Sequence, residues 1–336
     1  MTKLDRYHGC LLAGGIGDQL GCDPEFMSRE SMLRVYGPDG VRTMSECITD
    51  DTQMTLFTAE GMLMGLKHGM PMPACVYQSY LDWYATQMPR AKGGVFNGES
   101  RLFAEPRLHA HRAPGNTCLG ALGSGNMGLT DEPINRSKGC GGVMRTAPCG
   151  LLKMVDTPDP EDAYAVQGAM AAAITHSHSL GWIPAAMLAD MVHQIMLEDG
   201  RTLKAITLDS LARMDRLFAE DPHMPYFDKL MRHAVELVDA DVYPHEGIGM
   251  LGGGWVGEEA LAIAVYCALK FQDDMEECLS AAVTHDGDSD STGAIAGNIL
   301  GAWLGIDGIP AKWLEQLEMR EVIDDMAIRL YEAAGK

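Results

Sequence analysis

Residues 52–67 read TQMTLFTAEGMLMGLK, and helical spacing brings Met54, Phe57, Met62 and Leu66 near one face. Runs of β-branched and aromatic residues with a period of two are almost absent, and aromatic residues make up only 7% of the chain. The pattern predicts an all-α fold, a compact helical bundle of about a dozen or more helices. Besides 52–67, helices are predicted over residues 161–176, 183–198, 201–219, 226–239, 257–271, 273–284, 292–304 and 311–333.

Two segments lack this periodicity. Residues 86–150 are rich in Gly, Pro, Asn and Ser, and residues 243–256 (YPHEGIGMLGGGWV) form a second, glycine-rich connection. Neither segment contains the Ser/Pro tract or the block of charge that marks a linker between independent domains. The chain is therefore predicted to be a single domain over residues 1–336.

The composition excludes some classes of protein. The net charge of −21 argues against a protein that grips nucleic acid or anionic lipid over a broad face, although local backbone amides and metal ions can still hold a small anion. No apolar run reaches the ~20 residues of a membrane span, and the N-terminus lacks the pattern of a cleaved leader. Nine scattered cysteines without a C-x-x-C pair predict free thiols. We expect a cytoplasmic protein with no membrane partner.

The first acidic cluster, Thr49-Asp50-Asp51, stands at the start of the helix predicted over 52–67. Aspartate and threonine are common at such positions because they accept hydrogen bonds from free N–H groups and meet the positive end of the helix dipole. One aspartate suffices for a cap. Two carboxylates and a hydroxyl in one turn also provide three hard oxygen ligands for a metal ion. Capping and metal binding are both open interpretations here.

In the second acidic cluster, three aspartates alternate in HDGDSDST (285–292), just before a helix of small residues. The spacing resembles an EF-hand calcium loop, but Ser291 stands at the sixth position instead of glycine and Gly297 at the twelfth instead of glutamate. Without that loop, alternate aspartates on a tight turn can converge on one side and share a metal ion. The three aspartates are Asp286, Asp288 and Asp290.

The ligand types in the two clusters indicate which metals fit. Carboxylate and hydroxyl oxygens, with no Cys or His at ligand spacing, favour Mg²⁺, Mn²⁺ or Ca²⁺ over zinc. Four or more converging carboxylates repel one another unless a pair of divalent ions neutralises them. Two ions ~3.5–4 Å apart can hold a bridging water, lower its pKa and orient a substrate's oxygens. A metal site is therefore favoured over capping and solvated acidic loops.

Glycine-rich and histidine segments suggest further site residues. Residues 14–21 (GGIGDQLG) lack the spacing of a dinucleotide-binding loop, and predict close helix packing followed by a turn that presents Glu25. Residues 137–145 (SKGCGGVMR) either turn backbone N–H groups towards a phosphate or form a plain loop. His176 and His178 are two residues apart and do not share a helical face, so we expect hydrogen-bonding or capping roles rather than joint metal binding.

Six blocks of the sequence, in this order, resemble the ADP-ribosylglycohydrolase family, which includes the dinitrogenase reductase-activating glycohydrolases. They cover the chain nearly end to end, and the Thr-Asp-Asp-Thr and Gly-Asp-Ser-Asp-Ser motifs are the specific ones. The blocks are GCLLAGGIGDQLGCDPEF (9–26), ITDDTQM (48–54), GNTCLGAL (115–122), SKGCGGVMRTAP (137–148), THSHSLG (175–181) and HDGDSDSTGAIAGNILGAWLG (285–305).

The resemblance implies a compact all-α fold around a cleft with two Mg²⁺ ions, for which Mn²⁺ is an alternative. Glu25 falls where many members carry a glutamate on a mobile loop over the metals, and whether Asp286 contacts a metal is open. The metal ligands implied are Thr49, Asp50, Asp51, Asp288, Asp290 and Ser291. The substrate-binding residues implied are Gly115, Asn116, Ser137, Gly139, Cys140, Gly141 and His176.

The activity implied is removal of mono-ADP-ribose from modified protein, with arginine as the expected acceptor. Metal-polarised water would attack the anomeric carbon of the ribose, and Glu25, Asp50 or Asp290 would move protons. The partners would be an ADP-ribosylated protein and, in a defence or immunity role, an ADP-ribosyltransferase. Two alternatives are open: a non-catalytic protein that binds ADP-ribose or the transferase, and a hydrolase of another ADP-ribosyl or N-glycosidic metabolite.

Overall fold

The computed structural model describes residues 1–88 and 90–335. Over these residues the chain forms sixteen α-helices, four short 3-10 helices and no β-sheet, with one isolated antiparallel bridge between Gly139 and Val256. The predicted all-α fold is confirmed. Pro89, in the segment 86–150, and Lys336, at the end of the predicted single domain, lie outside the described residues.

The helices follow one another along the whole described chain. The α-helices are α1 (Lys3–Gly21), α2 (Arg29–Tyr36), α3 (Asp50–His68), α4 (Met72–Gln87), α5 (Asn116–Gly123), α6 (Pro148–Leu151), α7 (Ala163–Ala173), α8 (Ser179–Met196), α9 (Leu203–Leu217), α10 (Met224–Leu237), α11 (Pro244–Leu251), α12 (Gly257–Lys270), α13 (Met275–Val283), α14 (Ser289–Leu304), α15 (Ala311–Gln316) and α16 (Arg320–Ala334). The 3-10 helices span Pro106–His109, Cys140–Gly142, Pro160–Asp162 and Ile306–Gly308.

Helices α1 and α14 pack antiparallel along a line of small residues. A Cβ on Gly17 would lie only 2.0 Å from the carbonyl oxygen of Gly293, so no larger residue fits at this crossing. This packing brings the C-terminal end of α1 against the N-terminal end of α14. The facing pairs are Gly9 with Gly301, Ala13 with Gly297, Gly17 with Gly293 and Gly21 with Ser289.

The N-terminus of α3 lies beside these two helix ends. The carboxylate of Asp18 on α1 accepts hydrogen bonds from the backbone N–H groups of Thr49 and Thr52, each at 3.0 Å. Helix α3 also packs against α4 and α16, and α12 packs against α8, α10 and α14. Three helix ends therefore meet at one place, and both acidic clusters lie there.

One contiguous cluster of buried apolar side chains extends from Tyr7 on α1 to Leu330 on α16. The assignment of residues 1–336 to a single domain stays a prediction. All nine cysteines lie in the described part of the chain and are unpaired, as their spacing predicted. Within residues 1–88 and 90–335, no helix combines the length and apolar character that a membrane span requires.

Helices α2 and α4 were not predicted, and α1 was predicted only as close helix packing over residues 14–21. Fourteen of the nineteen residues of α1 are buried, so this helix has no polar face and no amphipathic pattern that periodicity could reveal. The segments predicted to be irregular, 86–150 and 243–256, contain α5, α6 and α11. These short helices are hidden by their glycine content.

The single helix predicted over 311–333 is wrong: α15 and α16 are separated at Met319, whose φ of 60° is left-handed. The break places Glu318 beside the first acidic cluster. Its carboxylate accepts hydrogen bonds from the N–H of Ile48 and from the Arg112 side chain, both at 2.9 Å.

Candidate active site

Both acidic clusters open into one cavity of about 340 Å³. The α1–α2 loop, the N-termini of α3, α5 and α14, and the loops before α6 and α12 contribute to its walls. Thr49 and Ser137 lie just behind the lining, and the Ser137 hydroxyl is 3.1 Å from that of Thr117, which does line the cavity. The predicted site residues that line it are Glu25, Asp50, Asp51, Gly115, Asn116, Gly139, Cys140, Gly141, His176, Asp288, Asp290 and Ser291.

A larger cavity, of about 690 Å³, lies at the opposite ends of α1 and α3. Lys3 and Tyr7 of α1 and Leu66 and Lys67 of α3 contribute to its lining. It contains none of the predicted site residues. The chemistry of the lining, rather than the size of the cavity, therefore selects the smaller cavity as the candidate site.

The first acidic turn caps α3 and also faces the cavity. Thr49 is the N-cap residue, and its hydroxyl accepts a hydrogen bond from the N–H of Asp51 at 3.2 Å. Oδ2 of Asp50 accepts a hydrogen bond from the N–H of Gly115 at 3.0 Å, whereas Oδ2 of Asp51 is buried without a partner. Capping therefore does not use all the oxygens of this turn, and a buried carboxylate oxygen is left for a ligand.

Asp18 supports the first turn, and sequence reasoning gave it no role. It is fully buried, and besides the two N–H groups it accepts a hydrogen bond from the Thr52 hydroxyl. Burial raises its pKa to about 6, although the hydrogen bonds from Thr52 and Thr49 act in the opposite direction. The one clue in the sequence is a charged residue inside an apolar, glycine-rich segment, which must find partners when it is buried.

The second acidic turn caps α14. Asp288 is the N-cap residue, and the N–H of Ser291 donates to Oδ1 of Asp288 at 3.2 Å and to Oδ1 of Asp290 at 2.9 Å. The Ser289 hydroxyl donates to the carbonyl of Gly21 at 2.7 Å, which fastens the turn to the end of α1. This turn is therefore held by its own backbone and by its packing on α1.

Asp286 faces away from the other aspartates. It is exposed, and its Oδ1 accepts a hydrogen bond from the N–H of Arg29 at 2.8 Å, so it caps α2. It lines a separate cavity together with Arg29 and His245. Capping explains this residue without a metal ion.

Four of the carboxyls in the cavity, those of Glu25, Asp50, Asp51 and Asp290, resist ionisation. Burial raises the pKa of Asp50 to about 8 and that of Glu25 to about 7, and neighbouring carboxylates add to both shifts. Burial, again with neighbouring carboxylates, raises the pKa values of Asp51 and Asp290 well above the usual range. Like charges in a buried cavity produce this effect, and bound divalent cations would remove it.

The donor set fits hard divalent cations. All the candidate ligands are carboxylate or hydroxyl oxygens, and Oδ2 of Asp51 lacks any other partner. Among the described residues, no group of three or more His, Cys, Asp or Glu side chains is arranged to hold a metal ion as it stands. The aspartates share the cavity, but an oxygen of Asp50 accepts a hydrogen bond from Gly115 and an oxygen of Asp290 accepts one from Ser291.

The wall opposite α3 is a glycine-rich loop joined to the segment before α12. The N–H of Cys140 donates to the carbonyl of Trp255 at 3.2 Å, and the N–H of Gly257 donates to the carbonyl of Lys138 at 2.8 Å. The Cys140 thiol donates to Oδ2 of Asp288 at 2.8 Å. These bonds hold the loop against the second acidic turn.

His176 packs against this loop as a neutral ring. Burial, together with the charge of Arg145, lowers its pKa to about 3. The Arg145 side chain donates to the Thr175 hydroxyl at 2.6 Å, so the hydroxyl's own hydrogen can point to Nδ1 of His176, 2.9 Å away. We infer that Nε2 carries the ring proton and is a donor. A Cβ on Gly141 would lie 3.0 Å from the ring, so glycine allows this close approach.

The α1–α2 loop forms the rim of the cavity. Glu25 lines the cavity from this loop and is half-buried. Next to it, the Phe26 ring stacks on the Trp255 ring, with centroids 5.6 Å apart and an interplanar angle of 20°. Both rings also line the cavity, and no sequence pattern pointed to either of them.

A family model described as ADP-ribosylglycohydrolase matches residues 1–336. The chain belongs to the ADP-ribosylglycohydrolase family. The predicted resemblance is confirmed, and so is the prediction that the protein is an enzyme of the hydrolase class. The roles of individual metal ligands and substrate-binding residues stay predictions.

Several relatives of this family member match over most of its length. It is 26% identical to the ADP-ribosyl-(dinitrogen reductase) glycohydrolase of Rhodospirillum rubrum, over 94% of this chain and 91% of the relative. It is 28% identical to the ADP-ribosylhydrolase ARH3 of Danio rerio, over 99% and 91%. It is 22% identical to the ADP-ribosylarginine hydrolase Tri1 of Pseudomonas putida, over 98% and 79%.

A solved structure titled "ADP-ribosylglycohydrolase-related protein complex" has the same fold. The TM-score is 0.65 with 24% identity, and the match covers 99% of this chain and 99% of the other. At this identity the likeness supports the fold alone. The all-α architecture is thus shared with a known member of the family.

Proposed function

We propose that this protein removes mono-ADP-ribose from modified protein side chains at a site with two Mg²⁺ ions, with arginine the preferred acceptor. The observation that carries the proposal is the shared cavity, which four aspartates from two distant segments line together. Family membership supports the substrate class. The four aspartates are Asp50, Asp51, Asp288 and Asp290.

Six oxygen donors are proposed to hold the ions, and Mn²⁺ suits the same donors. The unpartnered Oδ2 of Asp51 supports this assignment, because a buried carboxylate oxygen without a hydrogen bond is unfavourable unless a ligand completes it. When bound, the ions would supply a polarised water and stabilise charge on the substrate's oxygens. The proposed ligands are Thr49, Asp50, Asp51, Asp288, Asp290 and Ser291.

Proton transfer is assigned first to Glu25. Of the acidic residues that line the cavity, Glu25 alone is not proposed as a metal ligand, so its carboxyl is free to accept and to release a proton. Its position on the rim leaves it in contact with the cavity and, through its loop, with solvent. Asp50 and Asp290 are the alternative proton carriers, but both are proposed here as metal ligands.

The ADP-ribose is proposed to lie between α5 and the glycine-rich loop. Gly115 and Asn116 form the N-terminal end of α5, where the first N–H groups of a helix lack acceptors within the helix and attract anions. Gly139 and Gly141 leave room for a ligand beside the Nε2 donor of His176. Such local donors explain how a protein with a net charge of −21 can bind a diphosphate.

The preference for arginine is supported by one of the relatives. A protein that matches over 98% of this chain is named an ADP-ribosylarginine hydrolase. Release of labelled ADP-ribose from arginine-, serine- and DNA-linked substrates, with and without Mg²⁺, tests the preference.

The proposed activity is tested by Asp290→Ala. The variant should lose magnesium-dependent release of ADP-ribose from an arginine-modified protein, because it removes a donor from the metal pair. Asp307→Ala, which removes an exposed carboxylate just after the same helix, is the matched control and should keep wild-type turnover. Wild-type turnover by Asp290→Ala would show that the site is assigned wrongly.

A role in immunity is a further part of the proposal. Co-expression with an arginine-specific ADP-ribosyltransferase distinguishes hydrolysis from direct blocking of that transferase. If the protein works by hydrolysis, the wild type restores growth and Asp290→Ala does not. Continued protection by Asp290→Ala would favour the non-catalytic alternative, and inactivity on every protein-linked substrate would favour a small ADP-ribosyl or N-glycosidic metabolite.

A further inference from the structure

Two large aromatic side chains stand exposed at the mouth of the candidate active site. Phe26 is 79% exposed and Trp255 is 45% exposed, although both line the cavity. Of the five tryptophans in the chain, Trp255 is the one that the structure leaves this open to solvent. Single exposed apolar residues are common, but two aromatic rings that stack on each other at a cavity mouth offer a ligand the faces and edges that the stack leaves uncovered.

The backbone of the segment that carries Trp255 is held by hydrogen bonds to two other segments of the cavity wall. The carbonyl of Gly253 accepts a hydrogen bond from the N–H of Asp288 at 2.8 Å, and the carbonyl of Trp255 accepts one from Cys140 at 3.2 Å. Gly254 between them has a φ of +79°, a conformation that glycine adopts without strain. The ring is therefore fixed relative to both the second acidic turn and the glycine-rich loop.

The Phe26 ring comes from the other side of the cavity. It follows Glu25 on the α1–α2 loop, where the N–H of Met27 donates to the carbonyl of Pro24 at 2.8 Å. The stack thus connects the segment that carries Glu25 to the segment that carries Trp255. A flat group that leaves the cavity towards solvent on this side has to pass these rings.

We propose that Phe26 and Trp255 form an acceptor subsite that binds the planar guanidinium group of the ADP-ribosylated arginine. The proposal rests on the proposed function, which supplies the ADP-ribosyl half of the substrate. A guanidinium group stacks on aromatic faces and is attracted by the partial negative charge of the ring face. This attraction is stronger on tryptophan than on other rings. A serine or DNA acceptor offers no flat cation of this kind.

The proposed subsite would hold the acceptor group while the bond to the ribose breaks. The water oxygen bonds to the anomeric carbon, the bond from this carbon to the guanidine nitrogen breaks, and a proton from the water goes to that nitrogen. Arginine then leaves with an intact guanidinium group. A stacked acceptor keeps the breaking bond in line with the attacking water. Loss of the rings should therefore lower the rate at which arginine is released and leave the affinity for ADP-ribose unchanged.

The first test compares ring variants on an arginine-modified protein. Trp255→Ala should lower kcat/KM about tenfold, Phe26→Ala somewhat less, and Trp255→Phe should retain most of the activity because a flat ring remains. The Kd of free ADP-ribose should stay within about twofold of wild type in all three. Tyr226→Ala, at an exposed aromatic residue on α10, is the matched control and should change neither quantity.

A parallel rise in the Kd of ADP-ribose would overturn the proposal, because the rings would then hold the nucleotide. Unchanged kcat/KM in Trp255→Ala would overturn it as well. Activity that is lost equally in Trp255→Phe and Trp255→Ala would show that the indole, rather than a flat ring, is needed, and would also contradict stacking.

The second test does not need turnover. Agmatine, added with ADP-ribose and Mg²⁺, should quench tryptophan fluorescence in the wild type and not in Trp255→Phe. N-carbamoylputrescine, which keeps the amine of agmatine but carries an uncharged urea group in place of the guanidinium, should bind about tenfold more weakly. If agmatine quenches the fluorescence but no arginine-linked substrate is cleaved, the proposed function is wrong and the guanidinium subsite is supported. If an arginine-linked substrate is cleaved but agmatine does not bind, only the proposed subsite is wrong.

Discussion

The two acidic turns of the cavity are held in place by different means. The first, residues 49–51, depends on a polar brace, because the buried carboxylate of Asp18 bonds to backbone N–H groups on α3. The second, residues 288–291, depends on the contact between α1 and α14, where Gly17 and Gly293 let the backbones touch. A polar brace is sensitive to charge and pH, whereas a packed backbone is sensitive to side-chain volume, so variants can separate the two.

The comparison also shows why the cavity suits a metal site. Both turns end as helix N-termini, whose dipoles favour carboxylates, yet the carboxyls are buried so closely that their pKa values rise. Neither the brace nor the packing neutralises this charge. The folded protein therefore contains a cluster of carboxyls whose ionisation is unfavourable, and bound divalent cations would stabilise their charged form.

The largest effect is expected from Asp51→Asn. The amide weakens the proposed metal site, so turnover should fall about a thousandfold. The melting temperature of the metal-free variant should nevertheless rise near neutral pH, because burial makes the ionisation of Asp51 unfavourable in the folded protein, whereas an amide has no ionisation to suppress. Asp307→Asn is the control and should change neither quantity. Turnover within about tenfold of wild type, or a lower metal-free melting temperature, would contradict the assignment.

A somewhat smaller effect is expected from Gly17→Ala, which tests the packed turn. The added Cβ would lie 2.0 Å from the carbonyl oxygen of Gly293, so α1 and α14 must separate. The free energy of unfolding, from denaturant titration, should fall by about 3 kcal/mol. Gly120→Ala is the control, because a Cβ there meets nothing within 4 Å. Equal stability of the two variants would show that the helix contact does not position the second turn.

The polar brace is tested by Asp18→Asn. The new amide group would face the N–H of Thr49 or Thr52, and the free energy of unfolding should fall by about 2 kcal/mol. Asp274→Asn is the matched control, since the exposed Asp274 also accepts two N–H bonds at 3.0 Å and asparagine caps equally well in water. An unchanged stability of Asp18→Asn would show that the Asp18 hydrogen bonds do not hold the first turn in place.

The smallest effect concerns pH. The pKa of Asp50 rises from 3.8 to about 8 in the folded protein, so the protonated carboxyl stabilises the fold fully below pH 3.8 and this stability is lost as pH rises through about 8. Between about pH 6.5 and 8.5 Asp50 alone should cost the metal-free protein on the order of 1–2 kcal/mol of unfolding free energy, and the raised pKa values of Glu25, Asp51 and Asp290 act in the same direction. The buried His176 opposes this loss weakly near pH 6.5, where the unfolded ring still binds part of a proton and the folded ring, with a pKa of about 3, binds none.

Saturating Mg²⁺ should abolish this loss, since metal ligands must be ionised and binding grows stronger as they release protons. Melting temperatures measured across this pH interval, with Mg²⁺ and with a chelator, give the comparison. A metal-free protein that becomes more stable as pH rises would contradict the buried, repelling carboxyls.

Much of the site was predictable because its residues lie where a pattern breaks. The carboxylates of Asp50 and Asp288 stand at the starts of helices whose apolar spacing is visible in the sequence. Glycines such as Gly139 mark a loop that must approach a ligand or a ring closely. The prediction that the two turns share one site came from the family resemblance, because neither segment contains a pattern that indicates which distant segment it contacts.

The parts that could not be predicted depend on burial and on three-dimensional neighbours. Helix α1 is buried on nearly every side, so it lacks the alternation of polar and apolar faces that reveals a helix. The partners of Asp18 are backbone N–H groups, which every residue carries and no pattern can single out. Phe26 and Trp255 are single aromatic residues in irregular segments, and their stacking arises only when two loops meet.

The most direct measurement of whether the two turns form one site is a double-variant comparison. Release of ADP-ribose from an arginine-modified protein is measured for Asp51→Asn, Asp290→Asn and the combination, each with saturating Mg²⁺. If both turns hold one metal pair, each single variant loses about a thousandfold in turnover and the combination loses little more, because the pair acts as a unit. Losses that multiply to about a millionfold, or wild-type turnover by either single variant, would show that the two turns do not work together.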